Sequence, residues 1–213
     1  MTSFQLQNIL PIPLKEQKFT HVSNIWQTDC VFEKGKKYLV LAPSGKGKST
    51  FLHILYGLRK DYEGRVSLGK ENIQNFQPSE WANLRKDKLA IVFQNLRLFP
   101  SLSAIDNIRL KAQLTNHAAD IEGMATRLGI KDLLQQSCET LSYGQQQRVA
   151  IIRALVQPFD FLLLDEPFSH LDEENTTNAL SLIKEVCEQQ QAGMILVSLG
   201  EAYPIDFDKR LQL

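Results

Sequence analysis

The sequence predicts an α/β fold with a mainly parallel sheet and helices on its faces. Three observations carry that prediction. An apolar run at 38–41 leads into a glycine-containing loop, Ala42-Pro43-Ser44-Gly45-Lys46-Gly47-Lys48-Ser49-Thr50, and then into apolar residues at helical spacing through Leu58. A second apolar run at 161–164 ends in two acids, Asp165 and Glu166. Between and after these runs, buried-strand patterns alternate with helix patterns, the order produced by parallel strands joined through crossover helices.

The elements follow in order. Residues 3–41 read as short strands and turns, with Glu33-Lys34-Gly35-Lys36 turning into the strand at 38–41. Residues 64–69 form a short strand bracketed by glycines, 81–85 a helix and 89–93 an apolar strand ending at Gln94. From Ser101 the pattern becomes helical. Ser103 is placed to cap a helix carrying Ile105, Ile108 and Leu110, and a further helix near 121–128 stops at Gly129. The helix at 143–156 buries Val149, Ile152 and Leu155 and halts before Pro158. Strands at 161–164 and 194–197 enclose a helix near 175–190, and a last strand covers 208–213. The helical block at about 95–157 reads as a lobe inserted into one domain spanning 1–213.

Composition removes several function classes. With 213 residues, 43% hydrophobic and 23% charged, the chain has an ordinary globular make-up. Lys plus Arg number 24 and Asp plus Glu 24, so the strongly basic face that favours nucleic acid is not expected. Three cysteines far apart, Cys30, Cys138 and Cys187, suit a reducing compartment rather than a disulfide framework. The four histidines show no zinc-ligand spacing. No apolar stretch approaches the ~20 residues of a membrane span, and the N-terminus does not read as a secretory signal. If the protein serves transport, the pore lies on another chain.

The loop at 42–50 has the chemistry of a phosphate cradle. A strand, a glycine loop and a helix start together aim backbone N–H groups and a positive dipole end at one point. Lys48 is placed to neutralise β and γ phosphates, and the Ser49 hydroxyl to ligate Mg²⁺. The expected ligand is a nucleoside triphosphate. The usual pattern begins with Gly, and Ala42 stands there; the required backbone freedom is expected at Gly45 and Gly47. Asp165 and Glu166 close a strand at the carboxyl edge, where open α/β sheets bind ligands. Asp165 is expected to hold Mg²⁺. Glu166, pointing the other way along the pleat, is expected to orient the attacking water. Leu141-Ser142-Tyr143-Gly144-Gln145 opens a helix with a good N-cap; it reads either as a second anion-binding helix start or as a capped helix only.

In order, these motifs resemble the ATP-binding cassette (ABC) ATPases: the phosphate loop, Gln94, Leu-Ser-Tyr-Gly-Gln, Leu-Leu-Leu-Asp-Glu-Pro, then Ser169-His170-Leu171-Asp172. The likeness covers almost the whole chain. Leu84-Arg85 ahead of Ile91-Val92-Phe93-Gln94, with Gln145-Gln146-Gln147-Arg148-Val149-Ala150, is nearest the lipoprotein-release and macrolide-export subgroup. The resemblance implies a P-loop NTPase core with a mainly parallel sheet, a small antiparallel β subdomain and an inserted helical lobe. It implies that residues 42–50 bind ATP and that Gln94 joins Mg²⁺ and water to the transporter contact. It further implies that Ser142, Tyr143, Gly144 and Gln145 cap the γ-phosphate held by the opposite subunit, that Asp165 is the Mg²⁺ acid, Glu166 the catalytic base, and Asp172 the acid at the dimer contact. An adenine-stacking aromatic is expected at Phe19, with Trp26 as a substitute; either residue can equally be core. The implied partners are a second ABC ATPase subunit, in a homodimer or heterodimer, and a transmembrane permease subunit contacted near 95–101. The implied place is cytoplasmic, peripheral on the inner face of the cell membrane.

The pattern breaks at Leu199, which stands where the family has a His that contacts the γ-phosphate. A hydrogen bond to a charged group nets about 1.5–3 kcal/mol, or roughly 10- to 150-fold in rate. ATP binding is therefore expected near normal and hydrolysis slowed. Tyr143 also replaces a usual Gly. His170 reads as a surface loop residue. Three functions follow: an ATP-hydrolysing transporter subunit, a weakly hydrolysing or regulatory nucleotide switch, and a soluble nucleic-acid or ribosome factor. The last is disfavoured by the zero net charge and single cassette.

Overall fold

The computed structural model describes residues 2–16, 23–115, 119–200 and 203–213. Strands β1 (Ser3–Pro11) and β2 (Cys30–Glu33) pair antiparallel, and β3 (Lys37–Leu41) leads into helix α1 (Lys48–Leu55). Strands β4 (Tyr62–Leu68) and β5 (Glu71–Asn72) precede α2 (Pro78–Asp87), β6 (Leu89–Val92), α3 (Ala104–Thr115) and α4 (Ile121–Arg127). Helix α5 (Tyr143–Leu155), β7 (Phe161–Asp165), α6 (Glu173–Gln189), β8 (Gly193–Ser198) and β9 (Lys209–Gln212) complete the order.

Two sheets result. The larger is parallel throughout, with order β6-β7-β8-β3-β9. The smaller is antiparallel, with order β2-β1-β4-β5. Strands β3, β6, β7 and β8 of the larger sheet divide their side chains by the two-residue period of the pleat. Leu39, Val92, Leu162, Leu164 and Leu196 share one buried cluster with α3, α4, α5 and α6. Val40, Ile91, Phe161, Leu163 and Val197 share the other with α1 and the small sheet. The rings of Phe4 and Phe161, 5.0 Å apart, join the two sheets. Strands buried on both faces explain the continuous apolar runs.

Several boundaries differ from expectation for local reasons. Helix α1 begins at Lys48, inside the phosphate loop, because Gly47 serves as its N-cap. The glycine-bracketed strand starts at Tyr62 and belongs to the antiparallel sheet. Helix α6 begins at Glu173 because the Asp172 side chain accepts from the Asn175 N–H. In α3, Ile105 and Ile108 are buried while Leu110 remains exposed. Ser103 does cap α3, its Oγ accepting from the Asp106 N–H at 3.2 Å. Among the described residues no helix is long and apolar enough to cross a membrane.

Candidate functional site

Parallel pairing brings the ends of β3, β7 and β8 to one sheet edge. Leu41 is in register with Ser198, and Asp165 with Val197. Two further backbone bonds extend that alignment: the Ala42 N–H donates to the Ser198 carbonyl at 3.1 Å, and the Glu166 N–H to the Val197 carbonyl at 3.0 Å. The phosphate loop and the acids are thereby fixed to β8 between them.

The loop needs left-handed backbone at two residues, Gly45 (φ 76°) and Gly47 (φ 93°). Ala42 is buried and lies outside the positive-φ residues, so it simply ends the strand. Gly47 is constrained twice, because a Cβ there would lie 2.7 Å from the Leu14 side chain and 3.2 Å from the Trp26 ring. Trp26 is only 2% exposed and its indole N–H donates to the Lys46 carbonyl at 3.4 Å. It wedges the loop from below and offers no open ring face for stacking. Phe19 lies outside the described residues. No side chain caps the start of α1.

Lys48 is buried beneath this loop. Its Nζ donates to the carbonyls of Ala42 at 3.1 Å and Pro43 at 3.2 Å, and lies 3.2 Å from Glu166 Oε1. The Ser49 hydroxyl donates to Gln94 Oε1 at 3.5 Å, and Gln94 Nε2 donates to Glu166 Oε2 at 3.4 Å. Four functional side chains from three segments are thus linked in sequence. Asp165 is 1% exposed. Burial pushes its carboxyl above the ordinary range; the Ser49 hydrogen bond opposes that, Glu166 adds to it, and Lys48 opposes it again. Its Oδ1 is buried with no hydrogen-bond partner among the described residues. An orphaned carboxylate oxygen beside a hydroxyl and an amide oxygen suits a hard, oxygen-seeking cation such as Mg²⁺.

Glu166 departs from the pleat reading. Its φ is 47°, a left-handed turn immediately after β7. That turn, rather than strand alternation, swings the carboxylate to Lys48 and Gln94. A non-glycine residue persists in this region only where its surroundings hold it. Here the Glu166 carbonyl accepts from Gln147 Nε2 at 3.3 Å and from the Ser169 N–H at 3.4 Å.

Helix α5 starts with a capping box: Ser142 Oγ accepts from the Gln145 N–H, and Gln145 Oε1 accepts from the Ser142 N–H. Gly144 backs closely on the next loop, since a Cβ there would meet the His170 carbonyl at 2.9 Å. The Tyr143 hydroxyl donates to the Gln94 carbonyl at 2.8 Å, and its ring lies 4.2 Å from that of His170. His170 is an exposed loop residue, as expected. Asp172 caps α6, and hydrogen bonds from Asn175, backbone then side chain, hold its carboxyl below the ordinary range. Leu199 is 55% exposed just beyond β8.

The structure therefore gathers Lys48, Ser49, Gln94, Asp165, Glu166 and Tyr143. A recess of about 250 Å³ opens among them, lined by Ser49, Gln94, Tyr143 and Asp165. Ser142, Gly144, Gln145 and Asp172 do not line that recess. The sequence reading missed three contributors. Gln147 binds the Glu166 backbone. Arg153 donates to the carbonyls of Leu96 and Arg97, both at positive φ after Gln94. His53, on α1, also lines the recess, and burial, then Arg97 and Arg59, lower its pKa. Gln147 and His53 were foreseeable as the positions one helical turn beyond Tyr143 and Ser49; the Arg153 contact had no sequence signal.

An apolar groove of about 410 Å³ adjoins the Gln94 loop. Exposed Phe99, Leu110 and Leu114 line it with the cationic Arg97, Lys111 and Arg153. Within the expected contact segment, Leu96 is buried and packs the core, whereas Phe99 faces the groove.

Residues 27–169 match the ABC transporter family. The lipoprotein-releasing system ATP-binding protein LolD of Legionella pneumophila (strain Lens) is 33% identical over 190 residues, 87% of this chain and 84% of that protein. The thiamine import ATP-binding protein ThiQ of Aliivibrio fischeri is 34% identical over 186 residues, 85% of this chain and 77% of that protein. Among solved structures, the dimeric bacterial ABC transporter cassette MJ0796 superposes with a TM-score of 0.79 at 26% identity, covering 92% of this chain and 88% of that one.

Proposed function

The chain belongs to the ABC transporter family, and from that premise we propose how its residues bind and hydrolyse ATP. It is an ATP-hydrolysing subunit of the ABC transporter type. The triphosphate sits on the amides of residues 42–50, with the Lys48 ammonium on the β and γ phosphates. Lys48 is held by Glu166 and two carbonyls; a triphosphate competes for that same cation and frees the Glu166 carboxylate. Glu166 then accepts a proton from the attacking water, and Gln94 holds that water in line. Ser49, Gln94 and Asp165 would hold Mg²⁺, which when bound offsets phosphate charge. Ser142, Tyr143, Gly144 and Gln145 face the triphosphate of a second ABC subunit, and Asp172 lies at that contact. Phe19 remains the proposed adenine partner.

Residues 1–213 act as one ABC ATP-binding domain, and the lobe at 95–157 passes dimer closure to a membrane permease chain. The groove beside Gln94 is the proposed permease contact: its apolar floor and three cations fit an apolar segment carrying a carboxylate. In this reading the protein works in the cytoplasm, peripheral on the inner membrane face. Leu199, with no hydrogen-bonding side chain at the sheet edge, favours slow turnover, so a regulatory subunit is the second reading.

The observation that carries the proposal is the linked set Lys48, Glu166, Gln94 and Ser49, closed by contacts of 3.2–3.5 Å beside the buried Asp165. Steady-state ATP hydrolysis by the wild type and by Glu166→Gln tests it. A measurable rate that falls about 10²- to 10⁴-fold in the variant, with ATP still retained, supports a base at Glu166. Equal rates refute it.

A further inference from the structure

Helix α5 does more than present its first residues outward. Tyr143 and Gln147 are one helical turn apart and share a face. Through its hydroxyl, Tyr143 holds the Gln94 carbonyl at 2.8 Å. Through its amide, Gln147 holds the Glu166 carbonyl at 3.3 Å and accepts from the His170 N–H at 3.3 Å. In the last turn, Arg153 grips the carbonyls of Leu96 and Arg97. Both residues that flank the attacking water in the proposed reaction are therefore anchored, by their backbones, to one rigid rod. Their side chains meet at 3.4 Å between Gln94 Nε2 and Glu166 Oε2. Leu96, Arg97 and Glu166 all have positive φ, so the backbone at these anchor points is held by its surroundings rather than by its own preference.

We propose that Tyr143 is a positioning residue: its hydroxyl fixes the Gln94 loop to α5, so that the start of α5 sets the distance between Gln94 and Glu166. The inference rests on the ATPase reading above and adds to it a route between two sites. The residues beside Tyr143, Ser142 and Gly144, face the triphosphate of the opposite subunit in that reading. A shift of α5 on meeting that triphosphate moves Gln94 of its own subunit through the Tyr143 hydroxyl. Each site then reports its occupancy to the other through α5, with the Tyr143 hydroxyl as the anchor nearest Ser142 and Gly144.

Tyr143→Phe is the test. It keeps the ring against His170 and removes only the hydroxyl of a residue that is 40% exposed. Hydrolysis by the purified full chain is measured over a range of Mg-ATP concentrations, beside labelled-ATP retention and the thermal midpoint. The expected result is a kcat about 3- to 10-fold lower, the scale of one neutral hydrogen bond, with KM within about twofold and the midpoint unmoved. A merely structural tyrosine would shift the midpoint and leave that split absent. If the wild type retains and hydrolyses ATP but Tyr143→Phe matches it in kcat, the inference is overturned alone. If the wild type retains no ATP, the ATPase reading and the inference both fall.

Discussion

Helices α1 and α5 both begin at a short polar stretch containing glycine; by sequence the first reads as a phosphate cradle and the second either as an anion-binding start or as a capped helix only. Their first turns are built differently. Helix α1 is capped by Gly47 with no side chain engaged, which leaves its leading N–H groups to face a ligand. Helix α5 carries the reciprocal Ser142 and Gln145 bonds, so two of its leading donors, the N–H groups of those residues, are served from within. The first start is open to a phosphate in an isolated chain. The second is partly closed by its own side chains, and in the proposed function its ligand is held by another subunit. A side-chain cap fixes where α5 begins, whereas the uncapped glycine start of α1 over the buried Lys48 leaves donors free for a ligand.

The largest gain expected on the α1 side comes from Leu199→His. Leu199 follows Ser198, whose carbonyl anchors Ala42 of the phosphate loop. An imidazole there restores a donor at the γ-phosphate end, and ATPase turnover should rise roughly 10- to 150-fold. No gain would break the view that this edge limits the rate. On the α5 side, Ser142→Ala removes the cap and should cost about 1 kcal/mol. For a chain of this size that lowers the thermal midpoint by about 2–4 °C. Retention of labelled ATP by the isolated chain should not change; weaker retention would show that α5 serves its own subunit's nucleotide.

The smallest effect is on stability at Asp165. Its pKa is raised in the fold by burial, so the protonated form is the one the fold favours. That contribution is present at low pH, below the unfolded carboxyl range, and is lost as pH rises through the folded value. Asp165→Asn carries no charge to bury, so its midpoint should exceed the wild type's at pH 7 and converge with it in acid. ATP hydrolysis should fall in the same variant. A wild type more stable than the variant at pH 7 would mean that Asp165 is held by a partner rather than left for a cation.

Much of this was legible in the sequence. The runs at 38–41, 89–93, 161–164 and 194–197 lie in or overlap β3, β6, β7 and β8, because strands buried on both faces have few ways to be written. Gly45 and Gly47 were identified as the left-handed positions, and Ala42 proved harmless for the expected reason. What escaped depended on conformation that residue type does not encode. Glu166 belongs to a left-handed turn, which no pleat argument anticipates. Trp26 is a wedge under the loop, decided by packing against Leu14 and Phe51 rather than by its ring chemistry. Asp172 caps α6, a local role hidden behind the dimer role that the resemblance assigned. Arg153 reaches the Gln94 loop across 56 positions of chain, beyond any local pattern.

In the proposed function, α1 and its loop form an ATP site whose cation is Lys48. Equilibrium retention of labelled ATP by the purified chain with Mg²⁺, compared between wild type and Lys48→Ala, tests it most directly. The expected result is saturable retention by the wild type and a loss of about 100-fold or more in the variant. Equal retention by the two proteins would contradict it.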